Sequence, residues 1–402
     1  MRRHVIHSTS TFNIIKGFLL IYKVLGLFPL SLTPGNHYKT GIISLIYSWV
    51  VTILVAFVMY LSIVKRNWAV LSKIDSSLPT LMGYLEQAAL FLTIFIIFSK
   101  SLTNLSTQLR GIILNLLHVD SYLLRVRIGA EQIDHTTSQV VRRFFTYLYA
   151  YLLSNCLFFI YKVKASPQKY WINVVVYVQY FTIFIIVLEY YTVLKLIQSR
   201  FELLNQAIGK LLLYRTVNMD APSPFLMDQR SSMSQLIEIK GQLEVLHQVY
   251  FDMVDNCSNM NQNFAILLLF ILTTTFLGTT TLVFVMSNII LASLKGSEIG
   301  TIILYLSYWL MVRCFVLVVI VTSSVETSSE ACKARRLAHR LLIEDNLPEI
   351  IDDVTLFANR LYSRKVQFTA CGFFPLDFTL LYNIIGATTT YWIILIQFQL
   401  QV

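Results

Sequence analysis

Long apolar runs alternate with shorter polar stretches along the whole chain. A helix needs about 20 mostly apolar residues to cross a bilayer. Seven runs qualify: 41–64, 78–98, 144–161, 170–194, 264–294, 299–325 and 379–402. Four hold no charge, and the other three hold one each: Glu86, Glu189 and Arg313. An eighth apolar stretch, 11–32, is interrupted by Lys16 and Lys23 and closed by Pro29 and Pro34. It reads as an interfacial or re-entrant segment. It is not a signal peptide, because Lys23 splits its apolar core and no small-residue cleavage site follows.

The stretches between spans are patterned too. Residues 195–214 carry a helical apolar stripe that continues the fourth span, and 233–253 carry another that leads into the fifth. Between them, 220–232 contains Pro222 and Pro224 and reads as a linker. Two more helices are expected at 326–342 and 347–365, broken near 345–348. Such helices could lie flat on the membrane. Their continuity with spans and their mixed charge favour a packed bundle projecting below the bilayer.

Composition narrows the class. Of 402 residues, 56% are hydrophobic and 13% charged, against about a quarter charged in soluble domains. A water-soluble enzyme, a disordered chain and a disulfide-stapled secreted domain are excluded. The net charge of +10 on so apolar a chain points to a lipid bilayer as partner and not to nucleic acid. Basic residues of the N-terminal segment and the even loops number 23, against 7 in the odd loops. The positive-inside rule then puts the N-terminus in the cytoplasm and the C-terminus outside. That is the inverse of a G-protein-coupled receptor, and no Asp-Arg-Tyr or Asn-Pro-x-x-Tyr motif stands in the relevant spans. The expected fold is an all-α polytopic membrane protein with seven transmembrane helices and a cytoplasmic helical anchor bundle. It divides into a cytoplasmic N-terminal or re-entrant segment (1–40), six spans enclosing an outer pocket with cytoplasmic extensions at 99–143 and 195–263 (41–325), anchor helices (326–378) and a last helix (379–402).

Catalytic chemistry finds no footing. Five cysteines (Cys156, Cys257, Cys314, Cys332, Cys371) avoid the predicted outer loops, so no disulfide is expected. His4 and His7 lack acidic or thiol neighbours, so neither a metal nor a cofactor is implied. No nucleophile elbow, zinc-helix motif, phosphate loop or dinucleotide fingerprint occurs. The sequons at Asn104 and Asn256 fall on the predicted cytoplasmic side and should stay unmodified. A small-molecule transporter stays open, although paired helix breaks and an internal repeat are missing. So does an inverted receptor that signals through a cytoplasmic partner.

The last span is the most informative. Asn383, Gly386, Thr390, Ile394, Gln397 and Gln401 share one helical face. Polar side chains in hydrocarbon face protein or water. Periodicity alone leaves two readings open: a helix–helix seam with Gly386 permitting close approach, or a pore-lining face repeated around an axis.

The run from Thr390 and Tyr391 through five hydrophobic residues to Gln397 and Phe398 resembles the C-terminal signature of insect gustatory receptors. The stretch from Ala370 to Phe378 is similar to that family as well, and the likeness is concentrated at 330–399. Classical sugar receptors of the family carry Glu where this chain has Gln397, so the chain is of the Gln type. The resemblance implies a ligand-gated, non-selective cation channel that is a taste receptor in the plasma membrane of sensory-neuron dendrites. It implies a homotetramer, or a hetero-oligomer with related receptors, around one cation pore lined by the last helix. Phe398 would close that pore as a hydrophobic constriction, with Gln397 supplying polar surface when open. Thr390 and Tyr391 would pack or hydrogen-bond the helix against its neighbours.

The same resemblance implies a tastant pocket in the outer half of the first six spans. Aromatic and polar residues concentrate there: Tyr84, Glu86 and Gln87; Asn155 and Phe159; Tyr177 and Tyr180; Thr280; and Tyr305, Tyr308 and Trp309. Aromatic walls with a few polar groups suit a small organic ligand, and for any one tyrosine ordinary packing is the alternative. Glu86 stands out, since an intramembrane carboxylate is a functional candidate. It would bond ligand hydroxyls, attract a cation or pair with a basic residue. Trp309 occupies the position of a sixth-span tryptophan in fructose-type members. Arg313 and Glu189 are expected to pair with each other near the midplane.

Overall fold

A computed structural model describes residues 17, 19–27, 30–33, 37–40, 42–65, 77–165, 170–219, 229–291, 298–343 and 351–401. His4, His7, Pro29, Pro34, Pro222, Pro224, Lys295 and the break at 345–348 lie outside the described residues, as do the side chains of Asn104 and Gln401.

Nine helices carry most of the described chain: α1 (Ile42–Lys65), α2 (Ser77–Lys100), α3 (Ser106–Arg125), α4 (Ala130–Ala165), α5 (Tyr170–Met219), α6 (Gln229–Leu291), α7 (Glu298–Ile343), α8 (Ile351–Ser363) and α9 (Phe378–Gln401). A π-helical turn, Ser101–Leu105, joins α2 to α3. Two small antiparallel hairpins complete the elements, β1 (Leu30–Thr33) with β2 (His37–Thr40) and β3 (Thr369–Ala370) with β4 (Phe374–Pro375).

Six of these helices contain a segment long and apolar enough to cross a membrane, in α2, α4, α5, α6, α7 and α9. The seventh, α1, has 24 residues and includes the shorter apolar stretch Ile43–Phe57. At 1.5 Å per residue, α5, α6 and α7 with 50, 63 and 46 residues run about 75, 95 and 69 Å. A hydrocarbon core of about 30 Å holds less than half of each. Their remaining lengths pack together, with α8 against α6 and α7.

Polar ties hold that packed end. Arg200 of α5 is fully buried and grips Asp120 of α3 with two bonds of 2.9 Å, while Thr137 of α4 accepts a third at 2.8 Å. A bidentate pair of this kind fixes three helices in register. The Tyr250 hydroxyl of α6 donates to the carbonyls of Leu361 and Arg364 at the end of α8, at 3.3 and 3.1 Å. Asn256, one of the two sequon residues, is fully buried and accepts a bond from Asn115 at 3.3 Å.

Two expectations about these segments need correction. Residues 229–232, read as linker, already belong to α6, because no proline follows Pro224 to stop the helix. Residues 369–375, read within the anchor helices, form the β3–β4 hairpin. Its turn places Cys371 and Gly372 at φ of 52° and 76°, which a helix excludes. Residues 19–27, within the 11–32 segment, are tied into the bundle. Tyr22 is fully buried and donates to the Ile185 carbonyl of α5 at 3.3 Å, and Ser101 donates to the Leu27 carbonyl. Gly26 turns the chain at φ +73°, where a Cβ would come within 2.9 Å of Val51.

Candidate functional site

Four helices converge on Arg313. A spacing of four residues stacks Tyr305, Trp309 and Arg313 on successive turns of α7. Three-residue spacing does the same for Tyr177 and Tyr180 on α5. Arg313 is 4% exposed, and its Nη2 donates to Glu86 of α2 and to the Tyr180 hydroxyl. Tyr180 in turn donates to Glu86 at 2.8 Å, and the guanidinium lies 5.2 Å from the Tyr180 ring centroid. The fourth helix contributes an absence of side chain. A Cβ built on Gly278 of α6 would stand 2.5 Å from the Arg313 Cζ.

An aromatic cage sits one turn along α7. Trp309 is 3% exposed, and its ring lies 4.6 Å from Tyr180, 5.4 Å from Tyr177, 5.6 Å from Tyr308 and 6.3 Å from Tyr305. From α4, Phe158 stacks on Tyr308 at 4.6 Å and Phe159 meets Tyr177 edge-on at 6.0 Å. Asn155, one turn earlier on α4, donates to the Tyr151 carbonyl at 2.7 Å. The Tyr308 hydroxyl and Ser154 share a bond of 3.2 Å. Among the buried polar atoms without a partner here are Trp309 Nε1, the Tyr177 hydroxyl, Asn155 Oδ1, and Nε and Nη1 of Arg313.

The structure thus joins Glu86, Phe159, Tyr177, Tyr180, Tyr305, Tyr308 and Trp309 into one cluster, with Asn155 beside it. It leaves others apart. Tyr84 is 48% exposed, because it stands about 200° around α2 from Glu86. Gln87 is buried. Thr280 is buried, and its hydroxyl is committed to the Phe276 carbonyl of its own helix at 3.0 Å.

The expected Arg313–Glu189 pair is not made. Nine residues separate Tyr180 from Glu189, about 13 Å and half a revolution along α5. Glu189 therefore faces another side, fully buried, with Oε2 unpartnered. Sequence reading also missed Phe158, Ser154 and Gly278. Only the glycine left a signal, as a lone Gly inside a long apolar helix.

Of the six membrane-length segments among the described residues, the last is the least covered. In the most apolar window of α9, 11% of residues are buried, against 89% in α5. Asn383, Gly386, Thr390, Ile394 and Gln397 are all exposed, and Phe398 is 58% exposed. The opposite face holds α9 to its own chain. Trp392 donates to Ser287 of α6 at 2.8 Å, and Tyr391 meets Phe276 edge-on at 6.0 Å. Gly386 permits no close approach within the chain, since a Cβ there would meet nothing within 4 Å. Thr390 bonds the Gly386 carbonyl of its own helix at 2.9 Å.

Among the described residues, no group of three His, Cys, Asp or Glu side chains could hold a metal, and the cysteines are free.

Comparison with known proteins bears on this geometry. Residues 15–402 match the family described as 7tm Chemosensory receptor. The chain is similar to Putative gustatory receptor 28a of Drosophila melanogaster, 40% identical over 84 residues, 21% of this chain and 19% of that one. It is also similar to Putative gustatory receptor 2a of the same organism, 55% over 47 residues, 12% and 11% of the two chains. Gustatory receptor for bitter taste 66a, again from Drosophila, is 46% identical over 61 residues, 15% and 11%. The matched segments cover less than a fifth of each relative. These relatives are receptors, not enzymes. The insect olfactory receptor OR5 from Machilis hrabei, solved in complex with eugenol, has the same fold. Its TM-score is 0.65 at 14% identity, covering 97% of this chain and 99% of that one.

Proposed function

Since the chain belongs to the 7tm chemosensory receptor family, we propose that it is a gustatory receptor working as a ligand-gated, non-selective cation channel. In this reading it is a homotetramer, and α9 from each copy lines a shared pore. The protein sits in the plasma membrane of sensory dendrites with its N-terminus and packed helical end in the cytoplasm.

One observation carries the proposal. The polar edge of α9, from Asn383 through Thr390 to Gln397, is exposed in the single chain. An amide in hydrocarbon costs free energy, so that edge needs water or another protein surface. Copies of α9 meeting around an axis supply both. Phe398, one residue past Gln397, is then the constriction and blocks ions by excluding water.

The cage around Trp309 is the tastant pocket in this reading. It is walled by aromatic rings and carries buried polar atoms without partners. The bitter-taste receptor among the relatives and the eugenol-bound fold neighbour support a small organic ligand.

Expressed alone in cells without G-protein coupling, the protein should pass current when a tastant is applied. Phe398→Ala should raise the basal current. Unchanged basal and evoked currents in that variant would remove Phe398 from the gate. Silent excised patches beside responding intact cells would favour signalling through a cytoplasmic partner, and saturable uptake without single-channel steps a transporter.

A further inference from the structure

The polar inventory of the cage restricts what it can hold. Trp309 Nε1 is a donor only, and the Tyr177 hydroxyl is a donor that can also accept. Both are buried without a partner, and their rings are 5.4 Å apart. A buried donor left unmatched is costly, so an occupant that offers it an acceptor is favoured over one that does not. The nearby carboxylate is already committed. Glu86 takes bonds from both Arg313 and Tyr180, so the ion pair sums to zero charge.

That neutrality discriminates by charge. A cationic occupant would find its counter-charge held by Arg313. An anionic one could meet the unpartnered Nε and Nη1 of Arg313 but would leave the buried cluster with an unbalanced negative charge. Polyols fit poorly as well. Each sugar hydroxyl brings a donor that needs an acceptor, and among the described cage residues Asn155 Oδ1 and the Tyr177 hydroxyl oxygen are the buried acceptors without a partner, too few for a ring of hydroxyls. The side chains around these polar atoms are otherwise aromatic rings, packed on one another face to face and at a tilt.

We propose that the ligand is an uncharged, flat aromatic molecule bearing a hydrogen-bond-accepting oxygen, which takes its donors from Trp309 and Tyr177. This rests on the reading of the cage as the tastant pocket and names the chemical class that pocket selects.

A matched panel tests it on the purified full-length chain in detergent by calorimetry. The probes are acetophenone, ethylbenzene, benzoate, benzylammonium and fructose. Acetophenone should bind about tenfold tighter than ethylbenzene, the difference of one buried acceptor, and tighter than the three charged or polyol probes. Trp309→Phe keeps a ring and removes the donor. It should weaken acetophenone about five- to tenfold and leave ethylbenzene unchanged. Should Trp309→Phe fail to fold, Tyr177→Phe carries the same comparison.

Equal binding of acetophenone and ethylbenzene would overturn the proposal. So would a preference for a charged probe or for fructose, or no binding by any of the five. Basal current through Phe398→Ala needs no ligand, so the channel reading can stand while this one falls.

Discussion

The guanidinium of Arg313 rests on the bare backbone of Gly278, where a Cβ would stand 2.5 Å from Cζ and Nη1. A side chain at 278 must push Arg313 away from Glu86 and Tyr180, and the ion pair cannot follow because its partners sit on α2 and α5. Gly278→Ala should therefore lower the melting temperature of the purified protein by several degrees. Gly209→Ala is the control, since a Cβ there meets nothing within 4 Å. Alanine in that helix position should hold or raise stability, by up to about 1 kcal/mol. Equal melting temperatures for the two variants would show that Arg313 is not clamped.

The Glu86–Arg313 pair predicts a non-additive cycle. Glu86→Gln or Arg313→Gln alone strands a buried charge and should cost about 3–5 kcal/mol. Replacing both removes the two charges together and should recover a large part of that loss. Denaturation of the two single variants and the double variant measures the coupling. Strict additivity would mean that the two groups do not share one interaction.

The Arg200–Asp120 clamp at the other end of the molecule should behave in the same way without touching the ligand site. Asp120→Asn leaves Arg200 buried beside a neutral amide, an expected loss of about 3–5 kcal/mol. Thr137→Val removes only the third bond of Arg200, worth about 1–2 kcal/mol. Surface expression should fall in that order, while cells that still carry protein at the surface keep the tastant concentration for half-maximal current. A shifted half-maximal concentration would tie this clamp to gating.

Ser287 and Trp392 join α6 to α9 through one hydrogen bond of 2.8 Å. Ser287→Ala deletes the acceptor and costs about 1 kcal/mol. If α9 turns against α6 on opening, that loss should appear as a shift of up to about fivefold in the tastant concentration for half-maximal current. Surface labelling should be unchanged. No shift would mean the bond survives opening intact.

How much of this was readable beforehand differs by element. The membrane-spanning helices were visible as hydropathy, and the long extensions of α5 and α6 as apolar stripes running past the spans. The β3–β4 hairpin was not, because four paired residues leave too short a pattern and the positive φ of Cys371 has no sequence marker. Within the site, composition pointed to the right region, while Tyr84 and Tyr177 looked alike. Their difference is one of helix rotation, which places one ring outside and the other against Trp309.

The linear chain by itself determined an all-helical membrane protein with a polar edge on its last helix. Hydrocarbon forces each backbone polar group to bond within its own segment, so a span is a local property that can be read residue by residue. Which side chains meet was decided only in three dimensions. Arg313 and Glu86 lie 227 positions apart, and their pairing in place of Arg313 with Glu189 depends on the rotation of α2, α5 and α7 about their own axes. The exposure of the α9 edge is likewise a matter of which faces the other helices cover, a quantity no single helix encodes.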